Sequence, residues 1–180
     1  MAKLANIKEE ITIPESVKAS LENNIITITG KGGTLSRAFT HPKLTIAVKG
    51  SAIEVACTNP RRKDKAFTGT VVAHLKNMIR GVSEGFEYSM KTVYSHFPIK
   101  KAVEENTFII QNFLGERSAR TAKILEGVEV QTKGDDVTVK GIDKEKVGQT
   151  VANIERATAV KRRDIRVFQD GVYRTSKGGN

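Results

Sequence analysis

One pattern occurs twice in this chain of 180 residues, and it leaves few folds open. Between Lys65 and Val82, the apolar residues Phe67, Val71, Leu75, Met78, Ile79 and Val82 recur at helical spacing, so one face can bury. The device returns as Val147, Val151, Ile154 and Thr158, and Gly69-Thr70-Val71-Val72-Ala73 is echoed by Gly148-Gln149-Thr150-Val151-Ala152. The strands ahead of each helix also match. Asn24 to Ile28 followed by Gly33 aligns with Asn106 to Ile110 followed by Gly115, and Lys49-Gly50 with Ile53 and Val55 aligns with Lys133-Gly134 with Val137 and Val139. A helix of this length covers one small sheet face, so two such helices predict two units of the same kind. The expected fold is α+β: two tandem duplicated domains, residues 1–83 and 84–180, each with small antiparallel or mixed sheets packed around one helix.

Local signals fill in the units. Ile11 and Ile13 alternate before Pro14. Val17 to Leu21 and Asn24 to Thr29 read as strands joined at Glu22-Asn23, and Leu35 to Phe39 is short and extended. Gly30-Lys31-Gly32-Gly33 reads as a turn; it lacks the longer glycine loop and following helix of a Walker motif. Leu44 to Val48 and Ile53 to Val55 form a hairpin around Lys49-Gly50-Ser51. At Asn59-Pro60 two readings stay open. Asn59 can cap a helix with Pro60 in its first turn, or Arg61 to Lys65 form a basic loop and the helix starts near Lys65, because cations are unfavourable at the positive end of a helix dipole. Gly81 and Gly85 end the helix, and Phe86, Tyr88, Met90, Thr92 and Tyr94 form one face of a long strand. In the second half, Thr107 to Gln111 is a strand, Asn112 to Gly115 a turn, and Asp143 the cap of a helix from Lys144 to Ala157. Lys161 to Val167 is basic and extended, and Phe168 to Tyr173 closes the fold.

Charge points to the partner. The chain carries 30 Lys and Arg against 20 Asp and Glu, a formal net charge of +10 that favours a polyanion, with nucleic acid ahead of membrane. The excess is uneven: residues 61–101 hold nine basic against three acidic residues, and residues 161–180 hold six against two. Arg61, Arg62, Lys63 and Lys65 in the first tract, and Lys161, Arg162, Arg163, Arg166, Arg174 and Lys177 in the second, suit phosphate contact. Tyr173 beside Arg174 is a candidate for contact with a base, whereas the alternation around Tyr88 places that ring in the core. No catalytic constellation emerges. His41, His74 and His96 lack ligand-spaced partners, no cysteine pair exists for a metal, and Asp135-Asp136 reads as a hairpin turn. Cys57, the single cysteine, implies a reducing compartment, and no apolar run reaches membrane-spanning length.

Three stretches resemble a known family. They are Leu75-Lys-Asn-Met-Ile-Arg-Gly-Val-Ser-Glu-Gly-Phe86, Asn112-Phe-Leu-Gly-Glu116 and Arg163-Asp-Ile-Arg-Val-Phe-Gln-Asp-Gly-Val-Tyr173. Together they are similar to the universal large-subunit ribosomal protein L-six family in its archaeal and eukaryotic form, over essentially the whole chain. The resemblance implies a structural constituent of the large subunit in the cytoplasm, with no enzyme activity and no cofactor. It implies binding to large-subunit ribosomal RNA near the base of the factor-binding stalk, with ribosomal proteins as neighbours there and translation factors nearby. In that family the C-terminal domain supplies much of the RNA contact, which nominates Lys161, Arg162, Arg163, Arg166, Tyr173 and Arg174 here. The region between the domains nominates Arg80 and Lys91.

Overall fold

A computed structural model describes residues 6–176. The chain divides into two compact units, Met1–Gly85 and Phe86–Asn180. The first unit holds two three-stranded antiparallel sheets and one helix. Strands β1 (Asn6–Thr12), β5 (Leu44–Lys49) and β6 (Ala52–Thr58) form a sheet in the order β1-β6-β5. Strands β2 (Lys18–Glu22), β3 (Ile25–Gly30) and β4 (Gly33–Ala38) form the other, in the order β2-β3-β4. Both sheets pack on α1 (Arg62–Ser83). Inward strand residues Ile11, Ile26, Ile28, Ile53 and Val55 meet Val71, Leu75, Met78, Ile79 and Val82 of the helix in one apolar core. Cys57 continues the inward face of β6 and is buried.

The hairpin between β3 and β4 shows how the sheet is fitted to the helix end. The Gly32 amide donates to the Val82 carbonyl at 2.8 Å. A β-carbon added at Gly30 would lie 2.8 Å from both Cγ2 and the carbonyl oxygen of Val82. The glycine is there because the backbone of the turn approaches the helix too closely for a side chain. The turn is thus part of the packing, with Gly30 and Gly32 fitted against the helix end.

The second unit repeats the plan with one addition. Strands β8 (Lys100–Glu104), β9 (Thr107–Gln111) and β10 (Arg120–Lys123) pair in the order β10-β9-β8. Strands β7 (Phe86–Val93), β11 (Val128–Lys133) and β12 (Asp136–Gly141) correspond to β1, β5 and β6, and β13 (Gly171–Ser176) adds a fourth strand, giving β11-β12-β7-β13. Helix α2 (Lys144–Ala157) buries Val147, Thr150, Val151 and Ile154 against Phe86, Tyr88, Met90, Phe108, Ile110, Phe113, Val137 and Val139. Asp143 caps it, its Oδ1 accepting from the Glu145 amide at 2.9 Å. Each unit is therefore α+β, and every strand pairing among the described residues is antiparallel.

Several local expectations change. The β2–β3 turn is Asn23-Asn24, both at positive φ of 47° and 64°, one residue later than Glu22-Asn23; asparagine tolerates that region as few other residues do. Gly81 is buried inside α1, and Gly85, at φ 77°, is the residue that ends it. Strand β7 stops at Val93, so Tyr94 leaves the inward face and is 39% exposed. Lys161 to Val167 is not extended: it is irregular, with Arg162 at φ 58° and a turn at Asp164.

Candidate nucleic-acid interface

Helix α1 begins at Arg62, with Arg61 as its extended N-cap residue, so Asn59 and Pro60 lie outside it and the basic stretch is helix rather than loop. What makes this possible is Asp64. Its Oδ2 accepts from the Arg61 amide at 2.9 Å and from Lys43 Nζ at 3.0 Å, and its Oδ1 stands 3.5 Å from His41 Nε2. The Arg61 amide first and the Lys43 ammonium second hold its carboxyl below the usual Asp range. A carboxylate in the first helical turn answers the dipole, but its charge is already shared with Lys43. Arg61, Arg62, Lys63 and Lys65 are exposed and have no carboxylate partner among the described residues. His41 stacks on Phe67, ring centroids 4.8 Å apart, which ties the loop before β5 to the same turn.

The C-terminal tract is assembled from two directions. Arg120 lies at its root. Its guanidinium forks onto Glu116 (Nε–Oε2 2.8 Å, NH2–Oε1 2.6 Å), donates to the carbonyls of Ala157 and Ala159 at 3.0 Å each, and lies 4.2 Å over the Phe113 ring. That fastens the end of α2, and hence the start of the basic segment, to the turn after β9. Beyond it, Lys161 and Arg162 are exposed with no carboxylate partner among the described residues, and Arg163 sits 4.9 Å over the Phe168 ring. Arg166 is the exception: it grips Asp164 through Nε at 3.1 Å and NH2 at 2.8 Å, so much of its charge is spent inside the chain.

Strand β13 then sorts its two nominated residues onto different faces. Tyr173 is in register with Lys91 on the outer face of the sheet, and Lys91 has Asp136 as its other register neighbour. The Tyr173 hydroxyl donates to the Gln169 carbonyl at 3.2 Å, laying the ring across Gly171, where an added β-carbon would meet it at 2.8 Å. Arg174 pairs instead with Met90, an inward residue, and its amide donates to Glu155 of α2 at 3.0 Å; its side chain is exposed, with no carboxylate partner among the described residues. Arg80 is tied to Glu84 at 3.2 Å near the end of α1. Lys177 lies outside the described residues. Among the described residues no group of three His, Cys, Asp or Glu could hold a metal ion, and no helix is long and apolar enough to cross a membrane.

The model of the family "Ribosomal protein L6" matches residues 13–85 and again residues 97–171. The chain belongs to the ribosomal protein L6 family. Relatives extend over nearly its full length: large ribosomal subunit protein uL6 of Methanobrevibacter smithii is 50% identical over 98% of this chain and 99% of its own. The protein of that name from Methanosphaera stadtmanae is 50% identical over 98% and 97%, and that from Methanococcus vannielii 45% identical over 99% and 98%. As a member of the L6 family the chain is a structural ribosomal protein rather than an enzyme.

Two of the stretches similar to the L6 family have physical reasons in this structure. In Asn112–Glu116, Asn112, Leu114 and Gly115 take positive φ of 59°, 51° and 75°, which turns Phe113 into the core and brings Glu116 to Arg120. In Arg163–Tyr173, Phe168 anchors, buried Asp170 accepts from the Ser95 amide at 2.9 Å, and Gly171 makes room for the Tyr173 ring. Sequence reasoning missed Asp64 and Arg120, which position the two basic tracts. A carboxylate three residues after Arg61 was a legible first-turn signal. Arg120 offered none, since its partners lie on other elements.

Proposed function

We propose that this chain is a structural constituent of the large ribosomal subunit that binds the largest ribosomal RNA near the base of the factor-binding stalk, with residues 1–83 and 84–180 as its two duplicated domains. The observation that carries the reading is that Arg61, Arg62, Lys63 and Lys65 on one unit, and Lys161, Arg162 and Arg174 on the other, stand exposed without carboxylate partners among the described residues, each group rooted in ordered backbone. Exposed cations on a fixed frame release counterions when they meet phosphate, which drives binding and makes it salt-dependent. Duplex RNA exposes backbone and ribose more readily than base edges, so shape would select the site. Arg163, Lys91 and Tyr173 add contacts at the same unit; Arg80 and Arg166, already paired, contribute less; Lys177 extends the tract. Ribosomal proteins at the stalk base are its neighbours, and translation factors work close by. The relatives' shared description as large ribosomal subunit proteins supports the assignment.

Crosslinking in cells tests it, with partner RNA and protein residues identified together. The expected result is large-subunit ribosomal RNA joined to Lys161, Arg162 and the Arg61–Lys65 turn. Crosslinks dominated by proteins, with no large ribosomal RNA, would refute the RNA-binding reading. In vitro, replacing one of these cations by alanine lowers the slope of log affinity against log salt by roughly 0.7 to 1.

A further inference from the structure

Residues 161–169 belong to neither helix nor strand, yet residues 163–169 are firmly wired. Asp164 organises them: its carbonyl accepts from the amides of Val167 (3.1 Å) and Phe168 (2.9 Å), and its Oδ1 accepts from the Arg166 amide at 2.9 Å. Gln169 Nε2 reaches back to the Arg166 carbonyl at 3.2 Å. Phe168 packs against the second core under the Arg163 guanidinium. With those groups tied down, Ile165 and Val167 project from the turn. Each is 69% exposed, more than any other large apolar side chain among the described residues. A loop of this wiring holds two aliphatic side chains in water, where they are unfavourable, and gives them no way to fold inward.

We propose that Ile165 and Val167 form a preformed apolar wedge that enters the wide, shallow groove of a duplex RNA, with Lys161 and Arg162 neutralising phosphates at its rim. The proposal rests on the RNA-binding reading above. Apolar side chains flanked by cations enter the minor groove of DNA, and the minor groove of duplex RNA is wide and shallow enough to admit two short aliphatic side chains beside its ribose edges. Proteins that take unpaired bases use exposed aromatic rings for stacking; the ring in this loop, Phe168, is turned to the core and covered by Arg163. The neighbouring Tyr173 ring lies across Gly171 with its hydroxyl on the Gln169 carbonyl, which leaves Ile165 and Val167 as the side chains that project from the turn. The centre of a protein–protein interface is poor in charge, whereas this apolar pair follows Lys161, Arg162 and Arg163 in the chain, and the loop's one acid, Asp164, is engaged by Arg166. Charge and shape together favour RNA as the occupant.

The test compares two kinds of variant in the full chain, bound to in-vitro-transcribed large-subunit ribosomal RNA across a salt series. Ile165→Ser with Val167→Ser weakens binding about ten-fold at every salt concentration and leaves the slope unchanged, because burial of apolar area releases no counterions. Lys161→Ala with Arg162→Ala flattens the slope. Ile165→Val with Val167→Ile restores wild-type affinity. A regular RNA hairpin competes for the site and an unstructured polyuridine does not. Both replaced side chains are exposed, so thermal unfolding stays at the wild-type temperature. If the serine variant binds as tightly as wild type, or if polyuridine competes and the hairpin does not, the wedge is wrong while RNA binding stands. Normal RNA affinity with loss of the serine variant from large subunits in cells would place a protein on the loop and equally overturn it. Failure of the wild-type chain to bind the transcript would remove the RNA-binding reading and the wedge with it.

Discussion

Arg120→Ala isolates the contact on which the C-terminal segment depends. The guanidinium loses hydrogen bonds to the Ala157 and Ala159 carbonyls at the negative end of α2, and its place over Phe113. A hydrogen bond from a charged donor contributes about 1.5 kcal/mol at the low end. The Ala159 carbonyl is exposed and can turn to water, so its share is smaller. The cation–π contact adds roughly 0.5 to 1 kcal/mol. The Glu116 pair, whose carboxylate side chain is 38% exposed, adds about 0 to 1 kcal/mol after screening. The whole is about 3 kcal/mol. Urea denaturation with an unchanged m-value should show it, and Arg120→Lys, which keeps charge but loses the fork, should recover about one third. A double-mutant cycle with Glu116→Ala separates the contributions: most of the loss should survive in the Glu116→Ala background, because the helix-end carbonyls and the Phe113 contact carry it. A loss below about 1 kcal/mol, or one that vanishes when Glu116 is already gone, would refute the reasoning.

Further predictions concern the first unit and β13. Gly30→Ala should destabilise by about 2 kcal/mol, since the obstruction includes the Val82 carbonyl, which cannot yield without moving α1, and denaturant midpoints measure it. Gly171→Ala should cost less than Gly30→Ala in the same assay, because the Tyr173 ring can swing aside, and Tyr173→Ser should relieve what remains. The Asp64 carboxyl is held below its usual range by the Arg61 amide and then by Lys43, so its ionised form favours the folded chain. That contribution is complete above the ordinary Asp range and is lost as pH falls through the depressed folded value. Asp64→Asn should therefore lower stability at neutral pH and shrink the acid-side loss, read from unfolding midpoints across a pH series.

Much of this protein was legible in its residues because the determining forces are local. Alternation placed Ile26, Ile28, Ile53, Val55, Val137 and Val139 inward, helical spacing placed Leu75, Val82, Val151 and Ile154, and Asp143 marked its own helix start. Their burial follows from pleat and helix periods that any single segment displays. The repeat was visible for the same reason, and the excess of lysine and arginine is a property of composition alone. What chain order alone could not decide depends on partners far along it. The 161–169 segment has no period, and its shape comes from the carbonyl and carboxylate of Asp164, the Phe168 anchor and the Arg120 clamp across 37 and 39 residues. The same holds for the addition of β13 to β7, which places Tyr173 beside Lys91 and turns Arg174 toward Glu155. Which cations remain unpaired depends on conformation even where the partner is near in sequence: α1 brings Arg80 to Glu84 four residues on, the turn at Asp164 folds Arg166 back onto that carboxylate, and Arg162, two residues before Asp164, has no carboxylate partner among the described residues. Composition sets how much charge a chain carries; only the folded geometry decides where that charge is still unspent.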